Sequence, residues 1–436
     1  MRKKVIGRMI IVILLLVSNL DLGAQDKRPN IVLILADDLG VETITANGGT
    51  SYQTPNIDRL ASQGMLFQNC HAQPLCTPSR VQIMTGQYNV RNYTEFGKLD
   101  RSQISFGNIF KNAGYKTAIA GKWQLGGEND SPQHFGFDES CLWQQSQPRK
   151  DSEGHDTRFS NPTLEFNGKV KHFNNGEYGP DITSNFICDF IEENKNEPFF
   201  AYYPMILTHC PFVTTPDSND WDSQSKGSLT YKGEPVYYAD MVSYMDKLVG
   251  KIVSKIDELG LGENTLIVFT GDNGTDQPIV SMFKGGEYPG GKGKTTDNGT
   301  HVPLVARWTG TIDGNKECLD MVDFSDFLPT ICDAASIKAP SNIPIDGISF
   351  MPQLLGKKGN PREWIYSWYD PRGKKLKEFA RNTEYKLYKT GEFYNVTDDF
   401  FEKAPIPLDN LKEKDKKAYK SLSKALNSYD NVQKIK

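Results

Sequence analysis

The sequence has no CxxC pair of cysteines, no marked excess of charge of either sign and no apolar run long enough to cross a bilayer. Seven cysteines without such a pair argue against a zinc ribbon and against a dense disulfide framework. With 50 Lys and Arg against 54 Asp and Glu, the chain lacks the clustered basic excess of nucleic-acid-binding domains, so we expect no nucleic acid partner. What is present, 436 residues of which 38% are hydrophobic, suffices for one large globular domain with an appendage.

Residues 1–24 have the pattern of a secretory signal peptide. Four basic residues precede a short apolar run at residues 9–17, and Ala24 offers a small residue at a cleavage point. The run is too short to span a bilayer with the usual flanks, so we expect no integral membrane segment after cleavage and a periplasmic or secreted protein. A retained N-terminal anchor is the alternative. Cleavage would move the formal charge from −4 to −7, since it removes four positive charges and one negative charge.

Short apolar runs alternate with segments of helical period over most of the chain. Pro55 opens one helix that ends by Gly64, and a longer helix extends from Pro235 to Leu259. This alternation predicts an α/β fold with a large, mostly parallel central sheet covered by helices. The predicted strands are residues 30–36, 65–71, 115–120, 198–205, 265–270 and 302–308.

The composition changes after Gly356. Lys and Arg become dense, and aromatic runs at 364–369, 385–388 and 393–396 are separated by turn signals. This predicts a small antiparallel sheet closed by a helix at 416–427. We therefore divide the chain into a signal peptide at 1–24, a main domain at 25–356 and a small C-terminal subdomain at 357–436.

Polar residues follow four of the predicted strands. Asp37 and Asp38 follow the first, and the other three are followed by Lys122, by His209 and by Asp272 with Asn273. The carboxyl ends of parallel strands share one edge of a sheet, so these residues should converge there. Any one of them alone would also fit a turn or a helix cap.

The acidic members of this group suit a hard cation. Asp37, Asp38, Asp272 and Asn273 offer only oxygen ligands, which favours Ca²⁺ or Mg²⁺ over zinc. Adjacent carboxylates at Asp37 and Asp38 repel each other unless a cation lies between them. A plain turn after the first strand is the alternative.

A helix should begin near Cys76, because Pro78 suits its first turn. An anion docked there would meet free backbone N–H groups, and Arg80 would add a bidentate donor. A bare thiol at this position would be an activated thiolate, which an exported protein would expose to oxidation.

The segment Cys76-Thr77-Pro78-Ser79-Arg80 resembles the signature of the type I sulfatases, whose cysteine is converted to Cα-formylglycine by a maturation enzyme. The resemblance spans nearly the whole mature chain, with further motifs in the expected order. These motifs are Pro29-Asn30-Ile31-Val32 before Ala36-Asp37-Asp38, Thr54-Pro55-Asn56-Ile57-Asp58-Arg59-Leu60-Ala61, Gly121-Lys122-Trp123, Thr208-His209-Cys210-Pro211-Phe212, Thr270-Gly271-Asp272-Asn273-Gly274 and Gly291-Lys292-Gly293 before Val302-Pro303.

The resemblance implies an alkaline-phosphatase-like fold in which 25–356 is the catalytic domain, and a hydrolase of sulfate esters. It implies that one hydroxyl of the hydrated aldehyde at position 76 attacks sulfur and that the second hydroxyl later expels sulfate. It also implies a formylglycine-generating partner enzyme. Carried over residue by residue, the metal ligands for one Ca²⁺ would be Asp37, Asp38, Asp272 and Asn273, and the residues around the sulfate would be Arg80, Lys122, His209 and Lys292.

Gln124 departs from the family pattern, which commonly has histidine two residues after the lysine. Glutamine forms hydrogen bonds but cannot accept a proton at neutral pH, so the step that collapses the intermediate needs another base or water. Two alternatives to a sulfatase therefore stay open. One is a phosphoryl-transfer relative on the same fold, and the other is a non-catalytic glycan-binding relative.

Substrate recognition should come from outside the shared motifs. The stretch 143–158 combines aromatic and polar side chains as sugar subsites do, although an ordinary surface loop is equally compatible. The loop 216–232 is a similar candidate. Lys294 is either a second anion contact or a solvated lysine, and for His301 we favour a packing or capping role over substrate contact. The substrate-binding candidates are Trp143, Arg149, His155, Arg158, Lys294 and His301, and the expected partner is a sulfated carbohydrate of the galactose or hexosamine type.

Overall fold

A computed structural model describes residues 28–432, so the predicted signal peptide lies outside the described residues. The strands are β1 Asn30–Ala36, β2 Met65–His71, β3 Lys116–Lys122, β4 Glu139–Trp143, β5 Thr163–Phe166, β6 Lys169–His172, β7 Phe199–Pro204, β8 Thr265–Gly271, β9 Val280–Phe283, β10 Gly286–Pro289, β11 His301–Arg307, β12 Lys316–Asp323, β13 Ile365–Tyr369, β14 Lys377–Arg381, β15 Tyr385–Tyr388 and β16 Phe393–Asn395. The α-helices are α1 Pro55–Ser62, α2 Cys76–Thr85, α3 Asn89–Asn92, α4 Phe106–Asn112, α5 Ser131–His134, α6 Gly179–Glu193, α7 Tyr238–Glu258, α8 Asp297–Thr300, α9 Phe327–Ala334, α10 Met351–Leu354 and α11 Glu413–Asn427.

The main sheet has ten strands in the order β12-β2-β11-β8-β1-β7-β3-β4-β5-β6. The five strands from β8 to β4 are parallel to one another, and β11 and β5 run against their neighbours. This confirms the predicted α/β fold with a mostly parallel central sheet. Successive side chains of a strand point to opposite faces of the sheet, so the main sheet has one apolar core on each face. Val32 and Ile34 of β1 pack on one face and Ile31, Leu33 and Leu35 on the other.

Helices cover both faces of this sheet. The apolar sides of α1, α6 and α7 pack in the core that contains Val32, whereas those of α2, α4 and α9 pack in the core that contains Leu33. All seven residues of β1 are buried, as expected for a central strand with a core on each face. Because β1 cannot tilt between these two layers, the residues that follow it are held in a fixed position.

The predicted C-terminal sheet is also confirmed, with antiparallel strands in the order β13-β14-β15-β16. Leu422 and Leu426 of α11 pack on it, and Tyr88 from the main domain reaches into the same apolar cluster. The domain boundary at residue 356 stays a prediction. All seven cysteines lie within the described residues, and none of them forms a disulfide. No helix between residues 28 and 432 combines the length and the apolar character that a membrane span requires.

Gly271, the last residue of β8, allows the chain after β1 to pass close to β8. A Cβ atom at Gly271 would lie 2.1 Å from the backbone oxygen of Leu39, whereas one at Gly286 would meet nothing within 4 Å. We therefore expect Gly271→Ala to lower the free energy of unfolding by about 1–3 kcal/mol, as overpacking does. Gly286→Ala, the matched control, should change it by less than about 0.5 kcal/mol. Urea unfolding of the two variants measures this difference, and equal midpoints would contradict the packing argument.

Candidate active site

The predicted strand-end residues converge at the carboxyl edge of four adjacent strands. β8, β1, β7 and β3 are neighbours in the sheet. Asp37 and Asp38 directly follow β1, Asp272 and Asn273 follow β8, Lys122 ends β3, and His209 lies on the segment after β7. Backbone hydrogen bonds tie these segments together, with the Asp37 amide donating to the Leu207 carbonyl at 2.9 Å and the Asp272 amide to the Ala36 carbonyl at 2.9 Å.

Cys76 is the first residue of α2, which begins there as predicted. The first N–H groups of a helix have no acceptor within it, so this end of α2 is electropositive. Arg80 is four residues further on and therefore lies on the same side of the helix. The Cys76 Sγ atom lies within 4.8 Å of carboxylate oxygens of both Asp37 and Asp272. Burial raises the pKa of the Cys76 thiol, so the unmodified side chain is a neutral thiol at neutral pH and not the activated thiolate expected from its position at the start of a helix.

Three carboxylates and three cationic side chains alternate at this edge. The three shortest contacts are Lys122 Nζ to Asp37 Oδ2 at 2.8 Å, Arg80 Nε to Asp272 Oδ2 at 3.2 Å, and Lys292 Nζ to Asp38 Oδ2 at 2.5 Å. Arg80 also donates through Nη1 to the Lys122 carbonyl at 2.8 Å, which fixes the guanidinium plane. The guanidinium and both ammonium groups therefore have fixed positions beside Cys76.

The pKa values follow from burial and from these pairs. Burial raises the pKa of Asp272 to about 7, and the charge of Asp37 adds to the rise. Burial acts the same way on Asp37, but Lys122 and Arg80 outweigh it and lower its pKa. Burial would lower the pKa of Lys292, yet Asp38 raises it well above the usual value. Both ammonium groups at this edge therefore stay protonated at neutral pH, because the pKa of Lys122 is raised as well.

The oxygen atoms at this edge fit a hard cation. Among the described residues, neither Asp37 Oδ1 nor Asn273 Oδ1 has a hydrogen-bond partner, although both side chains are fully buried. The Asn273 amide donates to Asp38 Oδ1 at 2.8 Å, which leaves Asn273 Oδ1 as a free acceptor. Unpaired buried oxygens are costly, and a cation bound by Asp37, Asp38, Asp272 and Asn273 would satisfy them.

A cavity of about 230 Å³ opens over Cys76. Cys76 and Lys122 are almost fully buried, whereas Tyr231 and Arg372 are exposed to solvent, so the former mark its base and the latter its mouth. Gln124 lies beside Cys76, with Oε1 3.7 Å from Sγ. The residues that line the cavity are Leu75, Cys76, Phe96, Lys122, Gln124, Trp143, Gln144, Arg149, Arg158, His209, Tyr231, Lys292 and Arg372.

His209 is oriented by Arg158. The guanidinium of Arg158 forms a pair of hydrogen bonds with Asp156, at 2.8 and 2.9 Å, and its Nη1 lies 2.8 Å from His209 Nδ1. The ring of Trp143 stacks on it at 4.2 Å. Burial, together with the charge of Lys292, holds the pKa of His209 well below its usual value, so the ring is neutral at neutral pH.

Two cationic donors compete for the one acceptor nitrogen of this neutral ring. Arg158 Nη1 lies 2.8 Å from Nδ1 and Lys292 Nζ lies 3.1 Å from Nε2. Because both groups can only donate, a ring with a single proton accepts a hydrogen bond from only one of them. The carbonyl oxygen of Cys210 also lies against Nδ1 and competes with Arg158 for this nitrogen.

Three of the predicted substrate-binding residues do not line this cavity. His155 lies beside Asp151 and Glu153, at 3.4 and 3.7 Å. Lys294 lines a separate cavity formed mainly by the C-terminal sheet. His301 pairs with Asp297 at 3.0 Å, and its Nε2 donates to the Gln68 carbonyl at 2.8 Å. Trp143, Arg149 and Arg158 do line the cavity.

Several lining residues, among them Arg372 and Phe96, were missed by the sequence reasoning. Arg372 comes from the turn after β13 and lies over the ring of Phe96, with 5.6 Å between the guanidinium carbon and the ring centroid. The motif Pro371-Arg372-Gly373 carries only a turn signal, and nothing local in the sequence directs it to Cys76. Tyr231 comes from the loop 216–232 that the sequence had singled out.

Comparison with known proteins places the chain in a family. The sequence pattern of the Sulfatase family matches residues 29–337, and that of the N-sulphoglucosamine sulphohydrolase C-terminal region matches 292–434. The chain is 32% identical over 380 residues to N-acetylgalactosamine-6-sulfatase of Mus musculus, covering 79% of this chain and 70% of that protein. It is 28% identical over 420 residues to N-acetylgalactosamine-6-O-sulfatase of Bacteroides thetaiotaomicron, covering 79% and 80% respectively.

Solved structures agree on the fold. BT4656, solved in complex with its substrate D-glucosamine-2-N,6-O-disulfate, superposes with a TM-score of 0.75 at 23% identity, covering 93% of this chain and 99% of that one. Ps i-CgsB superposes with a TM-score of 0.74 at 25% identity, covering 93% and 94%.

We expect Arg158→Lys to shift the tautomer balance of His209 toward the form with its proton on Nδ1. A lysine can keep the charge next to Asp156 but lacks the second donor that reaches Nδ1, so the proton should move to Nδ1 and bond the Cys210 carbonyl. Ring-nitrogen chemical shifts of His209, assigned with a His209→Gln variant, report the tautomer. Arg101→Lys, at an exposed arginine that pairs with Asp130 through two hydrogen bonds, is the matched control. Unchanged His209 shifts in Arg158→Lys would contradict this orientation by Arg158.

Proposed function

The chain belongs to the sulfatase family, and we propose that it hydrolyses O-sulfate esters on a carbohydrate of the galactose or hexosamine type. The observation that carries this proposal is the position of Cys76, at the electropositive start of α2 and at the base of a cavity lined by Lys122 and Lys292. A sulfate group that enters this cavity meets fixed cations on several sides.

The substrate class is supported by the cavity and by the relatives. Tyr231 offers an exposed aromatic ring, and Gln124 and Gln144 offer amide groups, a combination that suits a sugar ring and its hydroxyls. Both curated relatives described above are named for N-acetylgalactosamine 6-sulfate. A 6-O-sulfated N-acetylgalactosamine is therefore the first substrate to test.

Formylglycine made from Cys76 would supply a hydrated aldehyde as the nucleophile, in the place that the Cys76 side chain occupies. The residues around it fit this use. The position lies next to Arg80, Lys122 and Lys292, whose charges would stabilise the negative charge that grows on the sulfate oxygens. These donors are held by Asp272, Asp37 and Asp38, so they need not reorganise during the reaction.

A Ca²⁺ ion would supply further positive charge for the sulfate oxygens, bound by Asp37, Asp38, Asp272 and Asn273. The leaving alcohol needs a proton, and the candidate donors are Lys292 and His209, whose Nζ and Nε2 atoms lie 3.1 Å apart. Export, to the periplasm or the medium, is supported by the signal-peptide pattern of residues 1–24 and is part of the proposal.

Maturation of Cys76 gives the first test. Protein produced together with a formylglycine-generating enzyme should carry the aldehyde at position 76, which mass spectrometry of the peptide detects, and should release sulfate from a 6-sulfated sugar. Cys76→Ala should lower this release about a thousandfold or more, because it removes the nucleophile. Cys332→Ala, at another buried cysteine, is the matched control. A thiol at position 76 in every active preparation would refute the proposal.

The same assay separates the two alternatives. Release of phosphate instead of sulfate would identify a phosphoryl-transfer enzyme. Binding of a sulfated sugar without any release, by protein that carries the aldehyde, would identify a glycan-binding relative, which Gln124 beside Cys76 keeps in consideration.

Calcium should stabilise the fold as well as support turnover. Chelation should lower both the unfolding temperature and sulfate release, and added Ca²⁺ should restore both, since an ion that binds only the folded state stabilises it. Asp37→Asn should reduce the Ca²⁺-dependent rise in unfolding temperature. Asp217→Asn, at an exposed aspartate that pairs with Lys247, should leave this rise unchanged. An unfolding temperature that does not respond to Ca²⁺ in the wild type would contradict the metal site.

A further inference from the structure

The cavity over Cys76 has more positive charge than one sulfate ester requires. Its thirteen lining residues include five lysines and arginines and, within the described chain, no carboxylate. Three of the five form an ion pair with a carboxylate that does not line the cavity: Lys122 with Asp37, Lys292 with Asp38, and Arg158 with Asp156. The remaining two, Arg149 and Arg372, have no such partner among the described residues.

Both unpaired arginines are held by aromatic rings. Arg149 lies over Tyr231, with its guanidinium carbon 4.5 Å from the ring centroid, and Arg372 lies over Phe96 at 5.6 Å. Stacking restrains the plane of a guanidinium and leaves its N–H groups free at the edge. Such a group is prepared to bind a carboxylate or a sulfate through two parallel hydrogen bonds.

The two arginines lie between Cys76 and solvent. Cys76 is almost fully buried, Arg149 is half-buried and Arg372 is exposed. The turn that carries Arg372 is anchored to the main domain, because the Tyr93 hydroxyl donates to the Pro371 carbonyl at 2.8 Å. The arginines therefore face the part of a bound molecule that is distant from the sulfate at Cys76.

A sulfate ester carries a single negative charge, and Arg80, Lys122 and Lys292 already surround its place. A neutral sugar over Arg149 and Arg372 would remove water from two uncompensated charges, which is unfavourable. We propose that Arg149 and Arg372 bind a second anionic group of the same substrate molecule, either a carboxylate or a second sulfate. This inference rests on the proposed function and narrows its substrate to a sugar with at least two negative charges.

Binding can be measured without turnover in the Cys76→Ala variant with Ca²⁺ present. Isothermal titration would compare three probes: a singly sulfated hexosamine, a doubly sulfated hexosamine and a singly sulfated hexosamine linked to a uronic acid. At least one doubly charged probe should bind about 10- to 100-fold more tightly than the singly charged one, the gain expected from charge-assisted hydrogen bonds. Whichever of the two binds more tightly identifies the second group as sulfate or carboxylate.

Arg149→Gln and Arg372→Gln, each added to Cys76→Ala, should reduce this advantage several-fold, and the two together should abolish it. Arg149→Lys should retain part of it, since the charge remains while the planar fork is lost. Arg59→Gln is the matched control, because Arg59 is an exposed arginine of α1 that does not line the cavity. Unfolding temperatures of all variants establish that they are folded.

Different experimental results would refute the second-anion site and the proposed function. If the singly sulfated sugar binds, and wild-type enzyme hydrolyses it, but a second anion adds no affinity, then only the second-anion site is refuted. The same conclusion follows if folded Arg149→Gln/Arg372→Gln protein keeps the full advantage. If no sulfated sugar binds or is hydrolysed, the proposed function itself is refuted.

Discussion

Six ionisable side chains at one edge of the sheet, five of them buried and Lys292 partly buried, constrain the rest of the active site. An isolated buried charge costs several kcal/mol, and these are tolerated because carboxylates and cations alternate at hydrogen-bond distance. Each cation therefore depends on a carboxylate whose position is set by a strand end, and each carboxylate depends on a cation in turn. The parallel strands β8, β1, β7 and β3 must be neighbours for this balance to hold. The charges are Asp37, Asp38, Asp272, Arg80, Lys122 and Lys292.

Much of this edge could be predicted from sequence, because it follows from local pattern and general topology. Asp37 and Asp272 directly follow two strands that are buried throughout, and strands buried on both faces are the ones that lie side by side in a parallel sheet. The start of α2 at Cys76 could be predicted from Pro78 in its first turn. The short strands β5 and β6 could not, since β6 is exposed throughout and carries no apolar pattern.

The residues around the cavity mouth were harder to predict, because sequence proximity does not fix the direction of a side chain. Lys292 and Lys294 are two residues apart, but the turn between them, with Gly293 at φ +82°, directs them to different cavities. The larger of the two, about 590 Å³, lies beside Lys294 and away from Cys76, so cavity size alone would have selected the wrong place. Arg372 reaches the site only because the C-terminal sheet packs on the main domain, a contact between segments far apart in sequence.

The residues that line the cavity limit which side chains can accept or donate a proton there. Gln124 lies beside the Cys76 sulfur and cannot take up a proton. No carboxylate of the described chain lines the cavity, arginine side chains cannot act as bases, and the raised pKa values of Lys122 and Lys292 keep both ammonium groups protonated at neutral pH. His209 is the one lining residue with a neutral nitrogen base, since burial and the charge of Lys292 hold its pKa well below the usual value. Among the side chains that line the cavity, only His209 can therefore accept a proton at neutral pH. It can do so at Nε2 only when its own proton is on Nδ1, so the competition between Arg158 and the Cys210 carbonyl for Nδ1 bears directly on turnover.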